Sequence, residues 1–206
     1  ATYPYSDIVA FHGYNETNPE HILSDVAALK ETLSAHGMST EELWNTEASW
    51  GDEDATVASS QASWLMRYET TQALAGVSRF VWYAYDSCDW GTLWSVSPCT
   101  DSQGTEDEIN PAGAAYKVIQ NWLMGANLSQ CSQYQDGLWA CEIKRSQGYD
   151  AWLLWSSSGQ TLQVPIPSTS DLHVYRDSQN NLNYTAGVVD VDQMPILLES
   201  EDLSGQ

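Results

Sequence analysis

Apolar positions along the chain switch between two periods. Asp7-Ile8-Val9-Ala10-Phe11-His12-Gly13-Tyr14 is a short β-branched and aromatic run broken by glycine, which reads as a buried strand. Asn18-Pro19-Glu20 then reads as a helix start: Asn as N-cap, Pro at the first helical position, an acid in the first turn. Ile22, Val26, Leu29 and Leu33 follow at helical spacing, and Gly37 is placed to close that helix. Leu43 to Ala48 predicts a second strand. Asp52-Glu53-Asp54 gives a negative first turn to a second helix. Its apolar face is Val57, Ala58, Ala62, Leu65 and Met66, and it runs to about Gly76. Phe80 to Tyr85 predicts a third strand. Asn110-Pro111 starts a third helix, with Tyr116, Val118, Ile119, Trp122 and Leu123 inward and Gly125 at its end.

Strand followed by helix, three times over, predicts a parallel α/β sheet across residues 1–125. The connection from Asp86 to Ile109 is long and polar, and Trp90 and Trp94 stud it. A loop of that length is functional or disordered. After Gly125 the pattern becomes all-β. Leu128–Tyr134 and Leu138–Ile143 flank Gln135-Asp136-Gly137, a hairpin turn with glycine at the left-handed position. Ala151–Ser156, Thr161–Ile166, Leu172–Tyr175, Leu182–Thr185 and Ile196–Leu198 are further short strands. Strands about every ten residues predict a small antiparallel β-sandwich over 126–206.

Charge narrows the partners. Seven Lys+Arg stand against 28 Asp+Glu, a net charge of −21. Such a surface repels phosphate backbones and anionic lipid, so neither nucleic acid nor a membrane is expected as a partner. No run is long and apolar enough to span a bilayer. Ten Trp and eleven Tyr against two Phe favour rings with a polar handle, which suit clefts wet on one side. The four cysteines fall in two local pairs, Cys88 with Cys99 and Cys131 with Cys141, without the spacing of zinc or redox motifs. They read as two short-range disulfides in a secreted or extracytoplasmic protein. The three-residue hairpin turn pairs Tyr134 with Leu138 and so sets Cys131 opposite Cys141. Three Asn-x-Ser/Thr acceptors begin at Asn15, Asn127 and Asn183. The chain opens on Ala1 rather than Met and reads as a processed or excised piece.

The chemistry gathers around Glu42-Leu43-Trp44-Asn45-Thr46-Glu47-Ala48-Ser49-Trp50-Gly51. Glu47 stands at the end of an apolar run, with Trp44 and Trp50 three residues to either side. Carboxylates and indoles together suit carbohydrate. Sugar C–H faces pack on rings, and positioned carboxyl groups cut the glycosidic bond. The plainer reading is a strand end, a helix cap and core tryptophans. His12 also reads as a core histidine, Tyr14 as a strand cap, Trp82 as core, and Trp90 and Trp94 as loop-packing rings. Asp86, Asp89 and Asp101 lack calcium-loop spacing and read as solvated acids; no metal or cofactor is expected.

In order and spacing these segments resemble the C-terminal portion of retaining glycoside hydrolases of clan A, families 39 and 5 among them. The resemblance implies a partial (β/α)8 (TIM) barrel of three βα units followed by a β-sandwich. Leu43-Trp44-Asn45-Thr46-Glu47 looks like the seventh strand, so Glu47 inherits the role of catalytic nucleophile. His12-Gly13-Tyr14 stands where the sixth strand carries His-x-Tyr, whose tyrosine hydrogen-bonds the nucleophile. Val81-Trp82-Tyr83 stands at the eighth strand and makes Trp82 the floor of a sugar subsite. Asn45, Trp50 and Trp90 join the substrate-binding set, and Met194 to Glu199 is similar to the last strand of the appended sandwich.

The departure from the family lies in what is missing. Only three of about eight βα units are present. The general acid/base, usually the Glu of an Asn-Glu pair closing the fourth strand, has no counterpart at the matching place. Asn15-Glu16 has the letters but reads as the lead-in to the Asn18 cap. Three parallel strands alone leave two raw edges and an uncovered face. A complementary N-terminal segment of about five βα units would close them; self-association through the exposed face is the alternative. The expected function is therefore the nucleophile-bearing part of a retaining O-glycoside hydrolase, its acid/base supplied elsewhere. The alternatives are a non-catalytic carbohydrate-binding module and an inactive truncated fragment.

Overall fold

The computed structural model describes residues 6–14, 18–38, 42–50, 58–85, 93–94, 109–166 and 173–199. The chain divides into two compact units, Ala1–Gly113 and Ala114–Gln206. That division falls inside the third helix, whereas the sequence pattern put it at 125/126, after that helix.

The first unit carries a three-stranded parallel sheet in the order β1-β2-β3: β1 is Ile8–His12, β2 is Glu42–Ala48 and β3 is Arg79–Trp82. Helix α1, Ile22–Ala35, links β1 to β2, and α2, Ala58–Ala75, lies between β2 and β3 in the chain. The expected cap is present, though Asn18 and Pro19 open a 3-10 turn over Pro19–His21 that leads into α1. The Asn18 side chain accepts from the Glu20 N–H at 2.8 Å. Gly37 closes α1 with a positive φ of 75°, and the Met38 N–H reaches back to the Leu33 carbonyl at 2.8 Å.

One face of this sheet is buried and the other is open. Leu43, Asn45, Ala48 and Trp82 are buried, while Val81 on the opposite face is 46% exposed. On the buried side rings carry the packing. Trp50 stacks on Trp64, Trp64 stacks on Tyr68, and Phe80 and Trp82 meet that pair edge-on. Helix α2 departs from its expected one-sided apolar face. Ala62, Leu65 and Met66 are buried as the pattern predicts, yet every residue from 61 to 72 is buried, polar ones included. Arg67 is satisfied by a bidentate pair with Glu20, both bonds 2.7 Å, and Thr71 donates to the Arg67 carbonyl. Those partners make the burial tolerable, because a buried charge is costly unless paired and hydrogen-bonded.

In the second unit, helix α3 (Pro111–Leu123, begun in the first unit) ends where Arg145 donates to the Asn121 and Trp122 carbonyls, at 2.8 and 2.6 Å. Eight strands follow among the described residues: β4 Asn127–Gln133, β5 Leu138–Lys144, β6 Asp150–Ser156, β7 Leu162–Pro165, β8 His173–Arg176, β9 Leu182–Thr185, β10 Val188–Val191 and β11 Ile196–Glu199. They form a six-stranded sheet, β4-β5-β6-β11-β8-β9, and a two-stranded sheet, β10-β7. All its neighbouring strands are antiparallel. Val189 and Val191 share a core with Ala140, Leu154 and Ile196 of the larger sheet. Among the described residues, β10 is the one strand that the sequence pattern did not predict. The hairpin forms in the predicted register: Gly137 has φ 90°, Tyr134 N–H donates to Leu138 at 2.8 Å, and Cys131 and Cys141 face each other as a disulfide.

Of the two expected disulfides, that hairpin bond is the one found among the described residues. The other expected pair is not described: Cys88 lies outside the described residues, and Cys99 lies outside them too. The bond between Cys88 and Cys99 therefore stays an expectation from the sequence.

Candidate active site

Parallel strands end on one side, so the last residues of β1, β2 and β3 converge there. Their register contains an irregularity that decides the site. Phe11 pairs with Asn45 but His12 pairs with Glu47, and on the other side Asn45 pairs with Phe80 but Ala48 with Trp82. Both mismatches place one extra residue in β2, a bulge between Asn45 and Glu47. In a regular strand those two side chains would share a face. With the bulge Asn45 turns to the buried side and the Glu47 side chain remains 35% exposed, opposite His12.

The Tyr14 hydroxyl donates to Glu47 Oε1 at 2.8 Å. His12 Nε2 is 3.8 Å from Oε2 of the same carboxylate, with its ring more than half exposed. Burial, then the hydrogen bond to Glu47 and the negative charge behind it, push the Tyr14 phenol far above its ordinary pKa. Tyr14 therefore stays protonated and acts as a donor. Tyr83 lies close enough to add to that upward shift, and it is 40% exposed.

Gly13, between His12 and Tyr14, is held at both ends. Its N–H reaches the Asn45 Oδ1 at 3.0 Å. The Tyr68 hydroxyl donates to its carbonyl and accepts from Asn45 Nδ2, the latter at 3.2 Å. A Cβ on Gly13 would fall 2.6 Å from Asn45 Nδ2 and 2.7 Å from the Tyr68 oxygen, so glycine is required by close approach.

The structure thus brings Glu47, Tyr14 and His12 together and moves other expected residues elsewhere. Asn45 has no exposed surface and spends both ends of its amide on Gly13 and Tyr68, which removes it from the substrate-binding set. Trp82 is 6% exposed and packs against Trp64 and Phe80, on the same face as Phe80 by strand alternation; it is part of the core rather than a platform. Trp50 is committed to the Trp64 stack, and its carbonyl accepts from Gln61 at 2.9 Å. Trp94 stacks on Tyr85 with centroids 5.8 Å apart, a packing role. Trp90 lies outside the described residues, as do Cys88 and Cys99 on the same connection. Tyr83 is the ring the sequence reading missed. The signal was parity: Phe80 and Trp82 face the core, so the next residue turns outward. Among the described residues, the partners of the Glu47 carboxylate are a phenol and an imidazole, and no group of three or more His, Cys, Asp and Glu side chains is placed to hold a metal.

No protein-family model matches the sequence, and no curated protein matches it. Solved structures do match the fold. A family 39 glycoside hydrolase from Bacteroides cellulosilyticus superposes with a TM-score of 0.71 at 13% identity, over 95% of this chain and 44% of that one. A glucosidase from Croceicoccus marinus gives 0.58 at 15% identity, over 94% and 53%. A family 39 β-xylosidase from Caulobacter crescentus gives 0.51 at 17% identity, over 95% and 51%. The chain therefore shares mixed helix-and-sheet architecture with glycoside hydrolases and spans about half the length of the structures it matches.

Proposed function

We propose that this chain carries the nucleophile portion of a retaining glycoside hydrolase: three βα units of a (β/α)8 barrel, then the appended β-sandwich. The observation that carries this reading is the Tyr14–Glu47 hydrogen bond at the C-terminal edge of a parallel sheet, next to His12 and Tyr83. Barrel enzymes place their chemistry at that edge. The open sheet face, with Val81 exposed and Arg79 lying 4.3 Å above the Trp44 ring, is the surface a complementary segment of about five βα units would cover. That segment supplies the acid/base. The Cys131–Cys141 disulfide, together with a structural neighbour described as an exported protein, supports an extracytoplasmic setting.

In this reading an oxygen of the Glu47 carboxylate bonds to the anomeric carbon as the bond to the leaving oxygen breaks. The leaving oxygen takes a proton from the acid on the complementary segment. Water, deprotonated by the same group, then attacks that carbon and frees Glu47, with net retention. Tyr14 donates to the carboxylate and holds its second oxygen toward the sugar. Tyr83 offers a ring face.

The test follows from the missing acid. A 2,4-dinitrophenolate leaves without a proton, so 2,4-dinitrophenyl β-xyloside and β-glucoside, after the β-xylosidase and glucosidase that share the fold, bypass that defect. Release of dinitrophenolate by the purified chain is expected to fall by roughly 10³-fold or more in Glu47→Gln. A variant that keeps the wild-type rate overturns the proposal. A second reading, a carbohydrate-binding or inactive fragment, is favoured by the lack of a carboxyl partner for Glu47 among the described residues. Glycan-dependent tryptophan fluorescence without any dinitrophenolate release is its signature.

A further inference from the structure

We infer that Tyr68 and Asn45 are positioning residues for the Glu47 carboxylate, acting from the far side of the sheet through Gly13; this rests on reading Glu47 as the reacting group. Tyr68 stands on α2 and has no exposed surface, as does Asn45 on β2. Neither faces the open side where Glu47 lies. Their three hydrogen bonds close a ring, Gly13 N–H to Asn45, Asn45 to Tyr68, and Tyr68 to the Gly13 carbonyl. Backbone groups that leave a strand normally find a neighbouring strand or water. Here the Gly13 N–H is shared between the Glu47 carbonyl of the neighbouring strand, at 3.2 Å, and the Asn45 side chain, at 3.0 Å, while the Tyr68 hydroxyl takes the carbonyl of the same residue, the one that separates His12 from Tyr14. Fixing Gly13 fixes the exit direction of the chain, and so the place of the two side chains that reach Glu47.

The ring contacts of Tyr68 separate this role from plain packing. Its ring stacks on Trp64 at 4.3 Å and meets Phe80 at 5.2 Å, and phenylalanine would keep both contacts. Tyr68→Phe therefore removes the clamp and leaves the aromatic layer. Tyrosine labelled with 13C at Cζ reports whether a phenol is bonded to a carboxylate, and Tyr14→Phe assigns the Tyr14 signal. At neutral pH, Glu47→Gln is expected to move that signal in the otherwise unaltered chain. In a Tyr68→Phe background the same change is expected to shrink by about threefold or more, as interacting residues in a double-mutant cycle do. Asn45→Ser, which also opens the ring, is expected to do the same and serves if Tyr68→Phe lowers the folded fraction. A lowered melting temperature with an undiminished Glu47→Gln response overturns the inference, since that is what a merely structural tyrosine gives. The signal reads geometry whether or not a sugar is turned over, so failure of the clamp is distinguishable from failure of the glycosidase reading.

Discussion

The parallel sheet of the first unit and the six-stranded sheet of the second use the same side-chain alternation to different ends. In the second unit the central strands are buried on both faces. Cys141, Ile143, Leu153 and Trp155 fill one, and Ala140 and Leu154 fill the other against Val189 and Val191. Apolar area and a cross-strand disulfide hold that sheet together. In the first unit only one face is closed, by stacked rings and by the buried polar pairs Asn45 with Tyr68 and Arg67 with Glu20. The titratable groups cluster at the edge of that half-closed sheet. A surface finished on both sides stabilises; in the proposed reading, the surface left open on one side is where the complementary segment and a sugar meet.

The contrast is sharpest in side-chain truncation. Leu153→Ala, at a fully buried site, is expected to cost about 2–5 kcal/mol in denaturant unfolding of the second unit. Val81→Ala, at an exposed site of the same secondary structure, is expected to stay within about 0.5 kcal/mol. Equal costs would mean the open face is not open in solution. Replacing Cys131 and Cys141 together by serine releases a ten-residue closure, and is expected to cost about 2–3 kcal/mol in the second unit while leaving the tryptophan signal of Trp50 and Trp64 in place. Loss of both together would make the two units one cooperative body.

The smallest effect concerns Asp177. Burial alone would raise its pKa, but hydrogen bonds from Asn181, Gln179 and Asn183 outweigh burial and hold it below its ordinary 3.8. A folded pKa below the unfolded one means the contribution is complete above pH 3.8 and is lost as pH falls through the folded value. Asp177→Asn is expected to lower stability slightly at neutral pH, where the contribution is complete, and to flatten the acid limb of the stability curve below pH 3.8. An unchanged acid limb would show that the turn holds without its carboxylate.

These regions also differ in how far they could be read from residues alone. The hairpin was legible to its register, because Gln135-Asp136-Gly137 dictates turn length and turn length dictates which residues pair. Cys131 and Cys141 were paired on that register; Cys88 and Cys99 had only their closeness in the chain to join them. The convergence of Tyr14, His12 and Glu47 was legible because all three lie at or just past the C-terminal ends of neighbouring parallel strands. Asn45 was misplaced for a definite reason. Two residues apart in a strand means one face, and only the bulge in β2 breaks that rule, without leaving any mark in Asn45-Thr46-Glu47. Trp82 and Tyr83 were exchanged because two adjacent rings on a strand cannot be assigned to faces until the partner of one is known. The burial of α2 all round was hidden for a related reason. Arg67 reads as a solvent-facing charge until Glu20, distant in the chain, is brought to it.

The most direct test of Glu47 as nucleophile is covalent. A 2,4-dinitrophenyl 2-deoxy-2-fluoro-β-xyloside or β-glucoside carries a leaving group that needs no acid, and its fluorine slows release of the glycosyl ester. Incubation with the purified chain, followed by intact-mass and peptide analysis, is predicted to show a gain of one fluoroglycosyl group on Glu47 and none in the Glu47→Gln variant. A label on a different carboxylate, equal labelling of the variant, or an unlabelled chain would contradict the account.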